Sequence, residues 1–161
     1  MIKLSNNLIL IRHAENINND KLENSLLPLS PKGVLQAKKA SKYLINKYDV
    51  IISSPSLRTI MTSKIINNGI EPLKDKRLLE RGWGNKKQDG KETDDQAKIR
   101  IKKFLIETLK KYENKKILLV THGSLMKLAQ DVIEDETKER DSIDNCTIIE
   151  YNSDKEKNVI R

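Results

Sequence analysis

The chain has 161 residues, a length typical of one folded domain. Its one cysteine excludes a disulfide within the chain and fits a reducing, cytoplasmic location. The net charge of +8 invites a nucleic-acid interpretation, but aromatic residues make up only 4%, so stacking platforms for bases are scarce. The excess lysines are scattered over amphipathic helices, where they form solvated faces that attract small anions, so no nucleic-acid partner is expected. No apolar run reaches the roughly 20 residues that span a bilayer, which also argues against a membrane partner.

Hydrophobic periodicity and capping residues predict alternating strands and helices. In chain order these are a strand over 8–11, a helix from Pro31, a strand over 50–52, a helix from Ser54 to about Asn68, a helix over 95–112, a strand over 117–120, a helix over 125–133 and a last strand over 147–151. Ser30 is a natural N-cap and Pro31 suits a first helical position. The interval 70–95 is irregular, and its polar second half predicts an exposed loop.

This alternation predicts a single domain over residues 1–161 with an α/β fold. The expected architecture is a three-layer αβα sandwich with a mostly parallel central sheet. In such sheets ligands bind at the carboxyl ends of the strands. The unusual polar residues of this chain are placed at those ends.

Three predicted strands end in side chains suited to an anion. Arg12 and His13 follow the first strand, Arg58 lies in the first turn of the helix after the second, and His122 follows the third. Guanidinium groups bind phosphate oxygens in a bidentate way, and helix N-termini add backbone donors. A neutral imidazole can attack phosphorus, and nearby arginines disfavour its protonated form. The chain has no P-loop, HExxH motif or cysteine pair, so no metal and no cofactor are predicted.

Five segments in order resemble the signature motifs of the histidine phosphatase superfamily, the phosphoglycerate mutase-like proteins. They are "LIRHAEN", which resembles the RHG signature, "LSPKGVLQA", "SSPSLRTIMTSKII", "RLLERGWG" and "LLVTHGS". The resemblance runs through most of the chain and implies a phosphoglycerate mutase-like fold. Two positions depart from the pattern: Ala14 replaces the signature glycine, and Asn16 stands where Ser or Thr is usual.

The resemblance also implies roles for individual residues. His13 would be the nucleophile, with Arg12, Arg58 and His122 forming the phosphate pocket around it. His122 would take part in catalysis as well. Glu80 would be the general acid that protonates the leaving oxygen, with an ordinary surface carboxylate as the alternative. The position of Asn19, six residues after His13, is one where many members carry a phosphate-binding asparagine; an ordinary loop residue is the alternative.

The leading hypothesis is a histidine acid-type phosphatase, a phosphoric monoester hydrolase that works through a phosphohistidine intermediate. Only 41 residues lie between Glu80 and His122, so the large substrate-covering insertion of the mutases has no room there. A phosphoglycerate mutase, which must exclude water, is therefore the less favoured alternative. A non-catalytic phosphate-binding protein is a third. The substrate is a phosphorylated small molecule or phosphoprotein, with the segments 16–28 and 84–94 expected to wall the site. The sequence does not indicate an oligomeric state.

Overall fold

Six strands form one hydrogen-bonded sheet in the computed structural model, which describes residues 2–82 and 92–161. The strands are β1 (Leu8–Arg12), β2 (Val50–Ser53), β3 (Leu73–Lys74), β4 (Ile117–Thr121), β5 (Ile148–Tyr151) and β6 (Lys157–Ile160). The helices are α1 (Pro31–Leu44), α2 (Leu57–Ile66), α3 (Asp94–Lys111) and α4 (Gly123–Glu134), with 3-10 turns at Asn24–Leu26 and Lys76–Leu78. Most of the loop predicted over 84–94 lies outside the described residues.

The sheet order is β3-β2-β4-β1-β5-β6. The first four of these strands run parallel, while β5 and β6 pair antiparallel, which confirms a mostly parallel sheet. The register places Arg12 opposite Thr121 and Ser53 opposite Val120. The residues that follow β1, β2 and β4 therefore meet at one edge of the sheet.

Alternate residues of the central strands enter two separate cores. Leu10 and Leu119 pack in a cluster with Phe104 of α3, on the side that α4 shares. Ile11 and Val120 belong to a second cluster, which residues of α1 and α2 complete. Helices cover both faces of the sheet, so most residues of β1, β2 and β4 are buried, and the three-layer αβα prediction is confirmed.

The interpretation of 147–151 as the last strand is wrong, because β6 follows β5 as an antiparallel edge strand. Three of the four β6 residues are exposed, so this strand lacks the apolar run that marks the buried ones. Strand β3 was not predicted, because it has only two residues and lies within the interval 70–95, which has no regular pattern. Helix α2 begins at Leu57 with Ser56 as N-cap, rather than at Ser54.

The N-terminus of α1 is fixed against the loop that follows β1. The Ser30 hydroxyl accepts the Gly33 N–H at 3.0 Å and donates to the Glu15 carboxylate at 2.8 Å, which confirms the predicted N-cap. A Cβ on Gly33 would lie 2.0 Å from the Glu15 carbonyl oxygen. Glycine at this position therefore allows the N-terminus of α1 to pack directly against the backbone of Glu15, two residues after His13.

Among the described residues, no helix combines the length and apolar character needed to cross a bilayer. The extent of the domain, 1–161, stays a prediction.

Candidate active site

His13 lies directly after β1 and is only 4% exposed. Its backbone N–H donates to the Thr121 carbonyl at 3.0 Å, which ties the residue to the end of β4. The ring Nδ1 lies 2.8 Å from the Ala14 carbonyl oxygen, which can only accept, so Nδ1 carries the proton. The other nitrogen, Nε2, is therefore unprotonated, and its lone pair accepts the Arg58 Nε–H at 3.3 Å.

Burial is the main cause that lowers the pKa of His13 to about 3. The positive charges of Arg58 and then Arg12 lower it further, while the bond to the Ala14 carbonyl opposes them. Both arginines lower the pKa of His13, as predicted from the sequence, but exclusion of water lowers it more. The imidazole is therefore neutral, and nucleophilic, at neutral pH.

His122 is the N-cap residue of α4 and is 1% exposed. Its Nδ1 lies 3.3 Å from Arg58 Nη2, which can only donate, so the proton lies on Nε2 and is donated to the Ser54 hydroxyl at 3.0 Å. The two imidazole centroids are 5.3 Å apart. Burial first, and then Arg58, lowers the pKa of His122 well below its usual value.

Arg58 connects every part of this cluster and is 3% exposed. Besides the two imidazoles, it donates to the Asn24 carbonyl at 2.7 Å and to the Glu80 carboxylate at 3.1 Å. The Asn24 side chain also donates to the same Glu80 oxygen at 3.3 Å. Burial lowers the pKa of Arg58, and the charge of Glu80 opposes that shift. A carboxylate oxygen thus occupies a guanidinium donor that a phosphoryl oxygen could use.

Two buried polar atoms at the start of α4 have no hydrogen-bond partner among the described residues. They are Arg12 Nε and the Ser124 hydroxyl. Arg12 donates through Nη1 to the Ile143 carbonyl, and its Cδ would lie 3.3 Å from a Cβ on Gly123. Glycine therefore lets the arginine approach the helix N-terminus closely. Unpaired donors beside free backbone N–H groups are the arrangement that an anion completes.

Glu80 lies on the loop before α3, with a side chain that is 41% exposed. Arg100 of α3 holds this loop by donating to the carbonyls of Leu79, at 2.8 Å, and Arg77, at 2.7 Å. Arg100 in turn forms an ion pair with the buried Glu92 at 2.8 Å. Helix α3 therefore positions the loop that carries Glu80, through Arg100.

A cavity of about 350 Å³ opens beside these groups. Its wall includes Arg12, His13, Glu80, Arg81, Asp94, Ser124, Lys127 and Ile143. Within the described residues, no group of three or more His, Cys, Asp or Glu side chains is arranged to hold a metal ion. The cavity can therefore place a phosphoryl group between cationic donors and the His13 nitrogen.

The structure brings five of the six predicted site residues together: Arg12, His13, Arg58, Glu80 and His122. Asn19 is the exception. Its side chain accepts the Lys21 N–H at 3.0 Å, and no contact joins it to the other five within residues 2–82 and 92–161. Its phosphate-binding role stays a prediction. The backbone φ of Ala14 is not positive, so this position does not need the glycine of the family signature and accepts an alanine.

Sequence reasoning missed four contributors to this cluster. Ser54 was predicted to start a helix, whereas its hydroxyl accepts the His122 Nε2–H. Asn24 contributes a backbone carbonyl, which has no sequence signal, and Arg100 acts from a helix. Lys127 was not singled out among the lysines of the predicted helices, although it follows His122 by five residues on the helix that His122 caps.

The mostly parallel sheet defines an α/β protein, and the two histidines and two arginines at its carboxyl edge form a cluster suited to binding an anion. The sequence model of the histidine phosphatase superfamily (branch 1) matches residues 8–94 and 83–161. The chain therefore belongs to the histidine phosphatase superfamily. No curated protein matches it.

Solved structures share the fold at low sequence identity. YhfR of Bacillus stearothermophilus is 20% identical with a TM-score of 0.77, and the match covers 89% of each chain. Mycobacterial glucosyl-3-phosphoglycerate phosphatase is 17% identical with a TM-score of 0.74, covering 90% of this chain and 89% of that one. Phosphoserine phosphatase from Entamoeba histolytica, in complex with 3-phosphoglyceric acid, is 19% identical with a TM-score of 0.70 and 89% coverage of each. These similarities confirm the phosphoglycerate mutase-like fold.

Proposed function

We propose that this protein is a metal-independent phosphomonoesterase that forms a phosphohistidine intermediate on His13. The observation that carries the proposal is the unprotonated Nε2 of His13, buried beside Arg58 and lining the cavity. A neutral imidazole with a fixed lone pair is suited to attack on phosphorus. Arg12, Arg58 and the N-terminus of α4 supply the positive charge that a metal ion supplies in other phosphatases.

The reaction has two displacement steps. In the first, His13 Nε2 bonds to phosphorus and the ester P–O bond breaks. Glu80, which takes up a proton from water when the phosphoryl group displaces it from Arg58, gives that proton to the leaving alkoxide or phenoxide. In the second, a water oxygen bonds to phosphorus while Glu80 takes a proton from that water, and the P–N bond breaks to release inorganic phosphate. The Nδ1–H bond to the Ala14 carbonyl stabilises the positive charge on the phosphorylated ring.

Hydrolysis is favoured over mutase chemistry by the exposure of Glu80. A mutase must protect its phosphohistidine from water while the substrate reorients. Helix α3 occupies 18 of the 41 residues between Glu80 and His122, and the Glu80 carboxylate is 41% exposed. Water can therefore reach the group that would activate it.

The substrate class is a phosphomonoester of a small molecule or a phosphoprotein. Structures with this fold include a phosphoserine phosphatase and a glucosyl-3-phosphoglycerate phosphatase, so the fold serves different leaving groups. A cytoplasmic location belongs to the same proposal, since one half-buried cysteine fits a reducing compartment.

The test measures phosphate release from an aryl phosphate, in EDTA, by wild type and His13→Ala. We expect EDTA to leave the wild-type rate unchanged and the substitution to lower it by at least about a thousandfold. Tyr48→Phe, which removes a 2.9 Å hydrogen bond to Asn67 outside the cavity, is the control and should keep full activity. An acid-labile phosphoenzyme should be trapped in the wild type alone. Activity retained in His13→Ala, or abolished by EDTA, would contradict the mechanism.

A further inference from the structure

Lys127 lines the same cavity as His13 and is half buried. It lies four residues after Gly123, so its Cα is about 6 Å further along the helix axis than the N-terminal donors of α4. The cavity is therefore lined from two turns of this helix, by donors at its start and by the side chain of Lys127, which begins one turn later.

No carboxylate among the described residues forms an ion pair with Lys127. The two acidic residues of α4 are engaged elsewhere: Asp131 with Lys98 and Arg140, and Glu134 with three other cations. The acidic residues of the cavity wall are also paired, Glu80 with Arg58 and Asp94 with Arg81.

Lys127 is a cation in the cavity wall without a carboxylate partner among the described residues, and a ligand anion would supply the counter-charge. The phosphoryl group is already supplied with donors by Arg12, Arg58 and Ser124, next to the attacking nitrogen. Lys127 thus adds one further positive charge to the cavity. One unpaired positive charge matches a monoanion such as a carboxylate better than a second phosphate.

We propose that Lys127 binds a carboxylate of the substrate, so that the enzyme prefers phosphomonoesters of small hydroxy or amino acids. The carboxylate would lie a few bonds from the phosphoryl group, which a cavity of about 350 Å³ accommodates. This inference rests on the proposed phosphatase function, because it uses the same phosphoryl pocket as its reference point.

The test compares non-hydrolysable ligands that differ only in the terminal group. Calorimetry measures the dissociation constants of propylphosphonate and 3-phosphonopropionate, and of butylphosphonate and 4-phosphonobutyrate, for wild type, Lys127→Gln and Lys127→Arg. The readout is the ratio of the two dissociation constants within each pair. Loss of a positive charge reduces long-range attraction and so weakens the binding of every phosphonate, but it leaves this ratio unchanged. Lys38→Gln on the exposed face of α1 makes the same charge change away from the cavity and is the control.

We expect the wild type to bind the better carboxylated probe about tenfold more tightly than its alkyl partner, as a charge-assisted hydrogen bond provides. Lys127→Gln should bring that ratio close to one, whereas Lys127→Arg and Lys38→Gln should keep it. Equal binding of both partners by the wild type would overturn the carboxylate proposal while leaving the phosphatase intact. A uniform weakening in Lys127→Gln with an unchanged ratio would assign Lys127 to the phosphoryl group instead. A wild type that binds no phosphonate would overturn the phosphoryl pocket, and the proposed function with it.

Discussion

Glu80→Gln tests whether one carboxylate both competes for Arg58 and protonates the leaving group. In the free site the Glu80 oxygen lies 3.1 Å from Arg58 Nη2, a donor that also faces His122. A phosphoryl group that binds there meets a negative carboxylate. The neutral amide keeps the shape and removes the charge, so phosphate binding should become stronger while catalysis becomes weaker.

The magnitudes follow from the exposure of Glu80. Two charges about 4 Å apart interact by about 4 kcal/mol at an effective dielectric constant of 20. With a side chain 41% exposed to water, screening reduces this to about 1 kcal/mol, which corresponds to about fivefold tighter binding of inorganic phosphate. Loss of a general acid lowers kcat by about 10²- to 10⁴-fold when the leaving group needs a proton.

The assay measures phosphate affinity by calorimetry and kcat on two esters, an alkyl phosphate and p-nitrophenyl phosphate. Nitrophenolate leaves without protonation, so its kcat should fall far less than that of the alkyl ester. Glu71→Gln is the matched control, because Glu71 pairs with Lys64 and Lys74 outside the cavity. Weaker phosphate binding in Glu80→Gln, or an equal loss of kcat on both esters, would refute this reasoning.

Two further predictions concern stability. The folded protein keeps His13 neutral down to about pH 3, whereas in the unfolded chain His13 takes up a proton below about pH 6.5. The free energy of unfolding should therefore be undiminished by this group above pH 6.5 and fall as the pH drops from 6.5 toward 3. His13→Asn should therefore lose about 3 kcal/mol less than wild type between pH 7 and pH 4 in urea unfolding, and equal losses would contradict the lowered pKa. Gly33→Ala should destabilise the fold by about 1–3 kcal/mol, since its Cβ would lie 2.0 Å from the Glu15 carbonyl oxygen. Thermal unfolding checks this against Leu35→Ala on the exposed face of α1, and an unchanged melting temperature in Gly33→Ala would show that the contact relaxes.

The sequence alone predicted the elements that carry a strong local signal. The buried strands are apolar runs, and Ser30 and Pro31 mark the start of α1, so these elements could be placed without a partner. The strand ends also identified Arg12, His13, Arg58 and His122, since polar side chains directly after apolar strands are conspicuous. Their convergence followed from the geometry of parallel sheets, where carboxyl ends share one edge.

Other elements were missed because their signals are weak or indirect. Strand β6 is exposed on three of four residues and forms only by pairing with β5. Helix α2 starts at Leu57, and the Ser54 hydroxyl accepts the His122 Nε2–H instead of capping the helix. Such a choice depends on residues 68 positions apart, which no local pattern records.

The chain's sequence determined which side chains could form a phosphate site and which family the protein belongs to. The tertiary structure alone decided their chemical states. The proton on His13 lies on Nδ1 because a carbonyl oxygen is 2.8 Å away, and the ring stays neutral because the folded chain excludes water from it. Likewise, Lys127 became a candidate ligand only when folding placed it in a cavity where none of the described carboxylates pairs with it. Protonation and pairing depend on the distance between groups that are remote in sequence, and packing sets those distances.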